Sequence, residues 1–256
     1  MTVLTLSAED CRRGNLILVN RRYSIHQAAS EKQSLDDSWL LAADPAWPEI
    51  LLAQPAALAL QKAMADLEAH GRIVPVSGYR SRAEQEKIYQ DSLGENGLEF
   101  TKKYVALPDC SEHQTGLAID LGEGGGELDF IRPSFPDSGI CGSFKKKAAQ
   151  YGFVLRYPAG KEEVTGIAHE PWHFRFTGCP HAEIMETKGM VLEEYLEFLR
   201  TCPDGCYIWK KEDSLTEIHY VHGGENGAEF AVPEGCPYQV SGDNREGFII
   251  TVWRKN

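Results

Sequence analysis

Ser111-Glu112-His113-Gln114-Thr115-Gly116-Leu117-Ala118-Ile119-Asp120 is the stretch around which the rest of the chain can be read. After Gly116, Leu117, Ile119 and Leu121 alternate with Ala118 and Asp120, the pattern of a strand with one apolar face and one face carrying a carboxylate. Only the small Ala118 lies beside Asp120 on that face, so space is left for an ion and a ligand. Further along, Glu170-Pro171-Trp172-His173 supplies a second carboxylate and a second imidazole. Pro171 biases Glu170 away from the α region, so this segment is not the i, i+4 helical histidine motif of metalloproteases. Residues three apart on a regular strand point to opposite faces, so a turn or bulge must bring Glu170 and His173 to one cleft.

Two imidazoles and two carboxylates are the set a catalytic zinc site draws on, with three protein ligands and an open position. A structural zinc would usually close its fourth position with Cys, and neither segment offers one. The Cys202-Pro-Asp-Gly-Cys206 pair has no second pair at finger-like spacing and reads as ordinary reduced thiols. Taken singly, a histidine is more often structural than ligating and Asp120 suits a turn or cap. The joint pattern carries the argument.

Working outward, Gln54 to His70 has helical spacing of Ala57, Leu60, Met64 and Leu67, with Pro55 at its start and Gly71 past its end. Ile73 to Ser77 reads as a strand, and Ser81-Arg-Ala-Glu84 as a capping box opening a helix to about Ser92. Arg80 falls at that strand-to-helix junction, where a side chain reaches a cleft. Gly14 to Asn20 reads as a short buried strand leading into a polar segment. Gly122 to Gly142 is a long Gly/Pro/Asp-rich loop; Ser143 to Tyr151, ended by Gly152, and Val191 to Leu199 are further helices. Helices preceding a run of strands predict an α+β fold. After Thr201 short β-like runs separated by glycine-rich turns predict a small β-rich appendage, so the expected division is 1–201 and 202–256.

The balance of 38 acids against 26 bases gives a net charge of −12, and the longest basic run is Lys145 to Lys147. That argues against nucleic acid and anionic membranes as partners. No signal-peptide pattern opens the sequence, and the longest apolar stretches, Leu16 to Val19 and Ile50 to Ala53, fall far short of a span, so no membrane insertion is expected. Seven scattered cysteines, an odd number, point to a reducing compartment, and the cytoplasm is the expected location.

The segments SEHQTGLAID, EPWHFRF and SGYRSRAEQ resemble those of the VanY/VanX family of zinc D,D-peptidases. The longer run SLGENGLEFTKKYVALPDCSEHQTGLAIDLG looks most like the bifunctional VanXY enzymes, and the C-terminal extension looks like that of their G-type. The likeness covers roughly residues 10–200. It implies a small antiparallel sheet flanked by helices around a zinc site, followed by a β-rich C-terminal unit. It makes His113, Asp120 and His173 the ligands of one zinc ion, Glu170 the general base and Arg80 the cation that stabilises a tetrahedral oxyanion. Ser111 and Gln85 match positions that hold the peptide's C-terminal end. Ser77, at the strand end near Arg80, is a candidate contact to the dipeptide side chain, with a strand-end hydroxyl as the plain alternative.

The implied substrates are the D-Ala-D-Ala dipeptide and UDP-muramyl-pentapeptide, whose cleavage removes the target of vancomycin. Rival readings are an endolysin-like or L,D-specific peptidase of the same fold and a non-catalytic zinc-binding sensor. An endolysin would carry a basic wall-binding module, and a sensor needs neither Glu170 nor Arg80. Trp172 and Tyr104 read as core aromatics, with substrate contact the alternative; His169 reads as a surface or supporting residue, and His219 and His222 as solvated.

Overall fold

A computed structural model describes residues 1–25, 40–126, 129–212, 214–223 and 227–254. Much of the polar segment after Asn20, at 26–39, lies outside them. In chain order the elements are β1 (Thr2–Leu6), β2 (Leu40–Asp44), β3 (Trp47–Ala53), α1 (Gln54–Asp66), β4 (Ile73–Ser77), α2 (Arg82–Tyr104), β5 (Ala118–Glu123), α3 (Gly139–Lys147), β6 (Phe153–Tyr157), α4 (Glu162–Thr165), β7 (Glu170–Phe176), α5 (His181–Lys188), α6 (Leu192–Arg200), β8 (Cys206–Lys211), β9 (Ser214–His222), β10 (Ala228–Val232), β11 (Tyr238–Gly242) and β12 (Gly247–Arg254). The α+β expectation is met. The chain divides into two compact units, Asn20–Thr187 and Met1–Val19 with Lys188–Asn256.

The Asn20–Thr187 unit is built on a four-stranded antiparallel sheet in the order β4-β5-β7-β6. Ile119 pairs with Phe174 across β5 and β7. Phe174 meets Phe144 of α3 and Phe135 in edge-to-face contacts at 5.0 and 5.3 Å, so this face is sealed by aromatic packing. Helix α1 buries Ala56, Ala57, Leu60, Ala63 and Met64 along one stripe. The capping box of α2 is present: the Ser81 hydroxyl accepts from Glu84 N–H and the Glu84 carboxylate accepts from Ser81 N–H.

The second unit pairs β1 with β10 and forms the sheet β11-β12-β9-β8, all antiparallel, around Leu6, Cys11, Val232, Phe248, Ile250 and Val252. Its strands β8 to β12 are the expected β-rich C-terminal part, and the unit takes in Met1–Val19 and α6 as well. Helix α6 buries Leu192, Tyr195, Leu196 and Leu199, the face its sequence spacing predicted.

Several local readings are corrected. Helix α2 does not stop near Ser92 but continues to Tyr104 through a break at Gly97, whose φ of 77° and ψ of 171° lie outside the helical region. Leu16, Leu18 and Val19 are buried as predicted but form no strand; Leu16 N–H donates to the Ser241 hydroxyl and Leu18 N–H to the Asp243 carbonyl. Helix α3 starts at Gly139, inside the predicted loop, and only Ala148 to Tyr151 ahead of Gly152 is a 3-10 turn. His219 is not solvated: it packs on Phe230 with ring centroids 4.8 Å apart and lies 3.3 Å from Glu217. His222 is exposed as expected. No two of the seven cysteines are joined in a disulfide. Among the described residues no helix is long and apolar enough to cross a membrane.

Candidate functional site

Strand register assembles the site. Ser77 pairs with Asp120 across β4 and β5, and Asp120 pairs with His173 across β5 and β7. Directly opposed residues on adjacent antiparallel strands present their side chains on the same face, so the three emerge in one row. The predicted bulge is present in β7. From Leu155 opposite Phe174, the register moves two residues along β6 and four along β7, reaching Tyr157 opposite Glu170. The two extra residues let Glu170 face the cleft with His173, and its carboxylate lies 3.8 Å from His173 Nδ1.

His113 arrives from outside the sheet, in the 3-10 turn Glu112–Thr115 ahead of β5. Two glycines permit its placement. Gly116 closes that turn at φ 69°, where a Cβ would lie 2.9 Å from Ala53 N; at Gly78 a Cβ would lie 2.2 Å from the Leu51 carbonyl oxygen. The Gly78 carbonyl in turn accepts a hydrogen bond from His113 Nδ1 at 2.7 Å. A carbonyl only accepts, so Nδ1 carries the proton and the Nε2 lone pair of the neutral ring is left to face Asp120.

Asp120 sits between both imidazoles. Its Oδ2 is 3.2 Å from His113 Nε2 and its Oδ1 2.9 Å from His173 Nδ1. One donor atom from each of the three residues lies within 4.8 Å of the others, and all three residues are buried. Three neutral or anionic N/O donors, no thiol and an adjoining cleft fit a zinc ion with an open position. Burial alone would raise the Asp120 carboxyl, but the neighbouring His113 and His173 hold it well below the usual carboxylate range. Burial lowers His113, helped by Arg80. Burial also lowers His173, but Asp120 and Glu112 outweigh it and push it up to about 9.

Arg80 reaches the cluster from the β4–α2 junction with its side chain 18% exposed. Nε donates to the Ser77 hydroxyl at 2.8 Å, one terminal nitrogen to Gln85 Oε1 at 3.4 Å and the other to Asp120 Oδ2 at 3.1 Å. Gln85 is buried and also donates to the Ala106 carbonyl at 2.8 Å, tying the segment after α2 to the Arg80 fork. Glu170 is buried, and burial first, with Asp120 adding to it, pushes its carboxyl up to about 8. A carboxyl raised toward neutrality is matched to a proton-transfer role.

Ser77, Arg80, Gln85, Ser111, His113, Asp120, Glu170 and His173 all line one cleft of about 410 Å³. Trp172 and Tyr104 line it as well, whereas His169 is exposed and contacts the Tyr157 carbonyl. Sequence reasoning missed two further parts. One is the pair Phe130 and Ile131, exposed at 72% and 46%: a loop this long directly after Asp120 can lie over the cleft, but nothing in its sequence singles out these two. The other is Glu112, buried against Arg156 and Arg175. Arg156 and Arg175 are among the largest fully buried side chains, and two charged residues inside strand patterns were the available signal for such a network.

A family model described as VanY, D-alanyl-D-alanine carboxypeptidase, matches residues 49–179. The bifunctional D-Ala-D-Ala dipeptidase and D-Ala-D-Ala carboxypeptidase VanXYC of Enterococcus gallinarum is 50% identical over 125 residues, 48% of this chain and 66% of that protein, so just under two thirds of that relative is matched. Among solved structures, the vancomycin resistance D,D-dipeptidase VanXYg in complex with a D-Ala-D-Ala phosphinate analogue is 45% identical with a TM-score of 0.93, covering 99% of this chain and 99% of that one. A variant of the vancomycin resistance D,D-pentapeptidase VanY from a VanB-type cassette, in complex with Zn(II), is 28% identical with a TM-score of 0.55, covering 71% of this chain and 98% of that one.

Proposed function

The chain belongs to the VanY family of D-alanyl-D-alanine carboxypeptidases, and from that premise we propose that it is a zinc-dependent D,D-peptidase acting on the D-Ala-D-Ala dipeptide and on the terminal D-Ala of peptidoglycan precursors. The observation that carries this reading is the row of Asp120 and His173 on adjacent strands, with His113 Nε2 and Arg80 closing on the same carboxylate. His113, Asp120 and His173 would hold one zinc ion per chain. Bound there, the ion supplies Lewis acidity, lowering the pKa of water to roughly 7 and polarising a carbonyl.

Glu170 takes the proton of the attacking water and returns it to the leaving amine of D-alanine. Arg80 places a permanent charge where the carbonyl oxygen becomes negative, and its three hydrogen bonds fix the guanidinium before substrate arrives. Ser111, buried beside His113, and Gln85 hold the C-terminal end of the peptide; Ser77 lies against the dipeptide side chain. These residues all belong to the Asn20–Thr187 unit, which lies inside the 1–201 segment assigned to catalysis; 202–256 is assigned an accessory role.

Acting in the cytoplasm on UDP-muramyl-pentapeptide, the enzyme would deplete the D-Ala-D-Ala termini that vancomycin binds. The test is a side-by-side assay of D-Ala-D-Ala and UDP-muramyl-pentapeptide with L-Ala-D-Ala as control. D-alanine release from both D,D substrates is expected; release from the L,D control alone would reassign the specificity.

A further inference from the structure

Glu112 neighbours a proposed ligand in sequence but faces a different one in space. Its Oε1 accepts from Arg156 Nε at 2.8 Å and lies 3.3 Å from a terminal nitrogen of Arg175. Its Oε2 accepts no hydrogen bond among the described residues and lies 3.6 Å from His173 Nε2, a buried nitrogen equally without a hydrogen-bond partner. That separation is slightly long for a hydrogen bond and too short for an intervening water, so each atom has only the other to satisfy it. Arg156 and Arg175 both approach Oε1, while Oε2 is turned toward the imidazole.

We propose that Glu112 is the positioning residue of the metal centre: with a zinc ion in the site, its Oε2 would accept the Nε2 proton of His173 and so select the tautomer that leaves the Nδ1 lone pair to the ion. An ionised carboxylate only accepts, and a neutral imidazole carries one N–H, so a proton held on Nε2 leaves Nδ1 free to ligate. His113 receives the complementary service, since the Gly78 carbonyl holds its Nδ1 proton and leaves Nε2 free. The two histidines therefore present opposite nitrogens to one point. Arg156 and Arg175 fix the carboxylate behind His173. The Tyr157 ring, 4.9 Å from the imidazole and tilted by 38°, limits its rotation, and the Arg156 guanidinium lies over that same ring at 4.9 Å.

The inference rests on the reading of His173 as a ligand, and the experiment separates the two. In Glu112→Gln the arginines attract the amide oxygen, which turns the amide NH₂ toward His173 Nε2 and drives the ring proton to Nδ1. Zinc affinity, measured by competition with a chromophoric chelator, is expected to fall roughly 10–100-fold. Circular dichroism checks that the variant folds. In the zinc-loaded wild type, long-range nitrogen-15 spectra of His173 are expected to show the proton on Nε2, a readout available even if the variant does not fold. Unchanged zinc affinity in folded Glu112→Gln, or a His173 proton on Nδ1 in the zinc-loaded wild type, overturns the proposal. Zinc affinity unchanged in His173→Ala would instead overturn the ligand assignment beneath it.

Discussion

Replacing Arg80 with alanine separates transition-state stabilisation from substrate binding. The guanidinium is largely shielded from water and committed to Ser77, Gln85 and Asp120 at 2.8, 3.4 and 3.1 Å. Burial pushes its pKa below the ordinary arginine value, against the opposing pull of Asp120 and Glu170. An arginine stays charged even so, and the charge is fixed before the reaction needs it. Truncation removes a preorganised cation from a desolvated site, a change worth roughly 10²–10³ in kcat, or about 2.7–4 kcal/mol. Asp120 retains both imidazole neighbours, so zinc affinity should fall by much less than kcat. Arg80→Lys restores the charge but offers one ammonium where the fork serves three acceptors, so it should recover only part of the loss. The assay is steady-state D-alanine release from D-Ala-D-Ala with zinc content measured on the same sample. A raised KM with unchanged kcat would refute this reasoning and make Arg80 a clamp for the substrate carboxylate.

Glu170→Ala should keep zinc bound while kcat falls at least ~10²-fold, because only proton transfer is lost; a metal-depleted variant would make Glu170 a ligand instead. His181 is buried in α5, and burial pushes its imidazole down to about 3 from 6.5. Between those values the unfolded chain binds a proton that the folded chain does not. Its contribution to stability is therefore whole above pH 6.5 and declines as pH falls toward 3, by up to about 1.4 kcal/mol per pH unit. Denaturant unfolding across that window should show a shallower pH slope for His181→Gln than for wild type; equal slopes would remove His181 from the account. Phe130 and Ile131 form a cleft wall, so Phe130→Ala with Ile131→Ala should weaken cleavage of the dipeptide more than of the pentapeptide, which keeps remote contacts. Equal losses in kcat/KM would make the wall indifferent to substrate length.

The site was legible because its residues sit in short motifs whose geometry is local. Alternation around Asp120 predicted a strand, and Pro171 with the three-residue spacing required the bulge found in β7. Cross-strand information was not legible: the alignment of Ser77, Asp120 and His173 depends on register, which no single segment encodes. Glu112 escaped notice because an acid beside a histidine looks solvated until Arg156 and Arg175, from two other strands, are seen to enclose it. The helix opened by Ser81 was expected to end near Ser92; it runs on through Gly97, whose backbone leaves helical geometry, and resumes beyond it to Tyr104. Gly14 to Asn20 read as a strand because burial was inferred correctly, but the N–H groups of Leu16 and Leu18 are met by the Ser241 hydroxyl and the Asp243 carbonyl rather than by a backbone ladder.

Metal dependence is the most direct test of a D,D-peptidase centre built on His113, Asp120 and His173. The protein should be stripped with a chelator, verified as metal-free by elemental analysis, and titrated with zinc while D-Ala-D-Ala hydrolysis is followed. The account predicts no hydrolysis without metal, an intact fold, and full recovery at one zinc per chain. Full activity in the verified metal-free protein would contradict it.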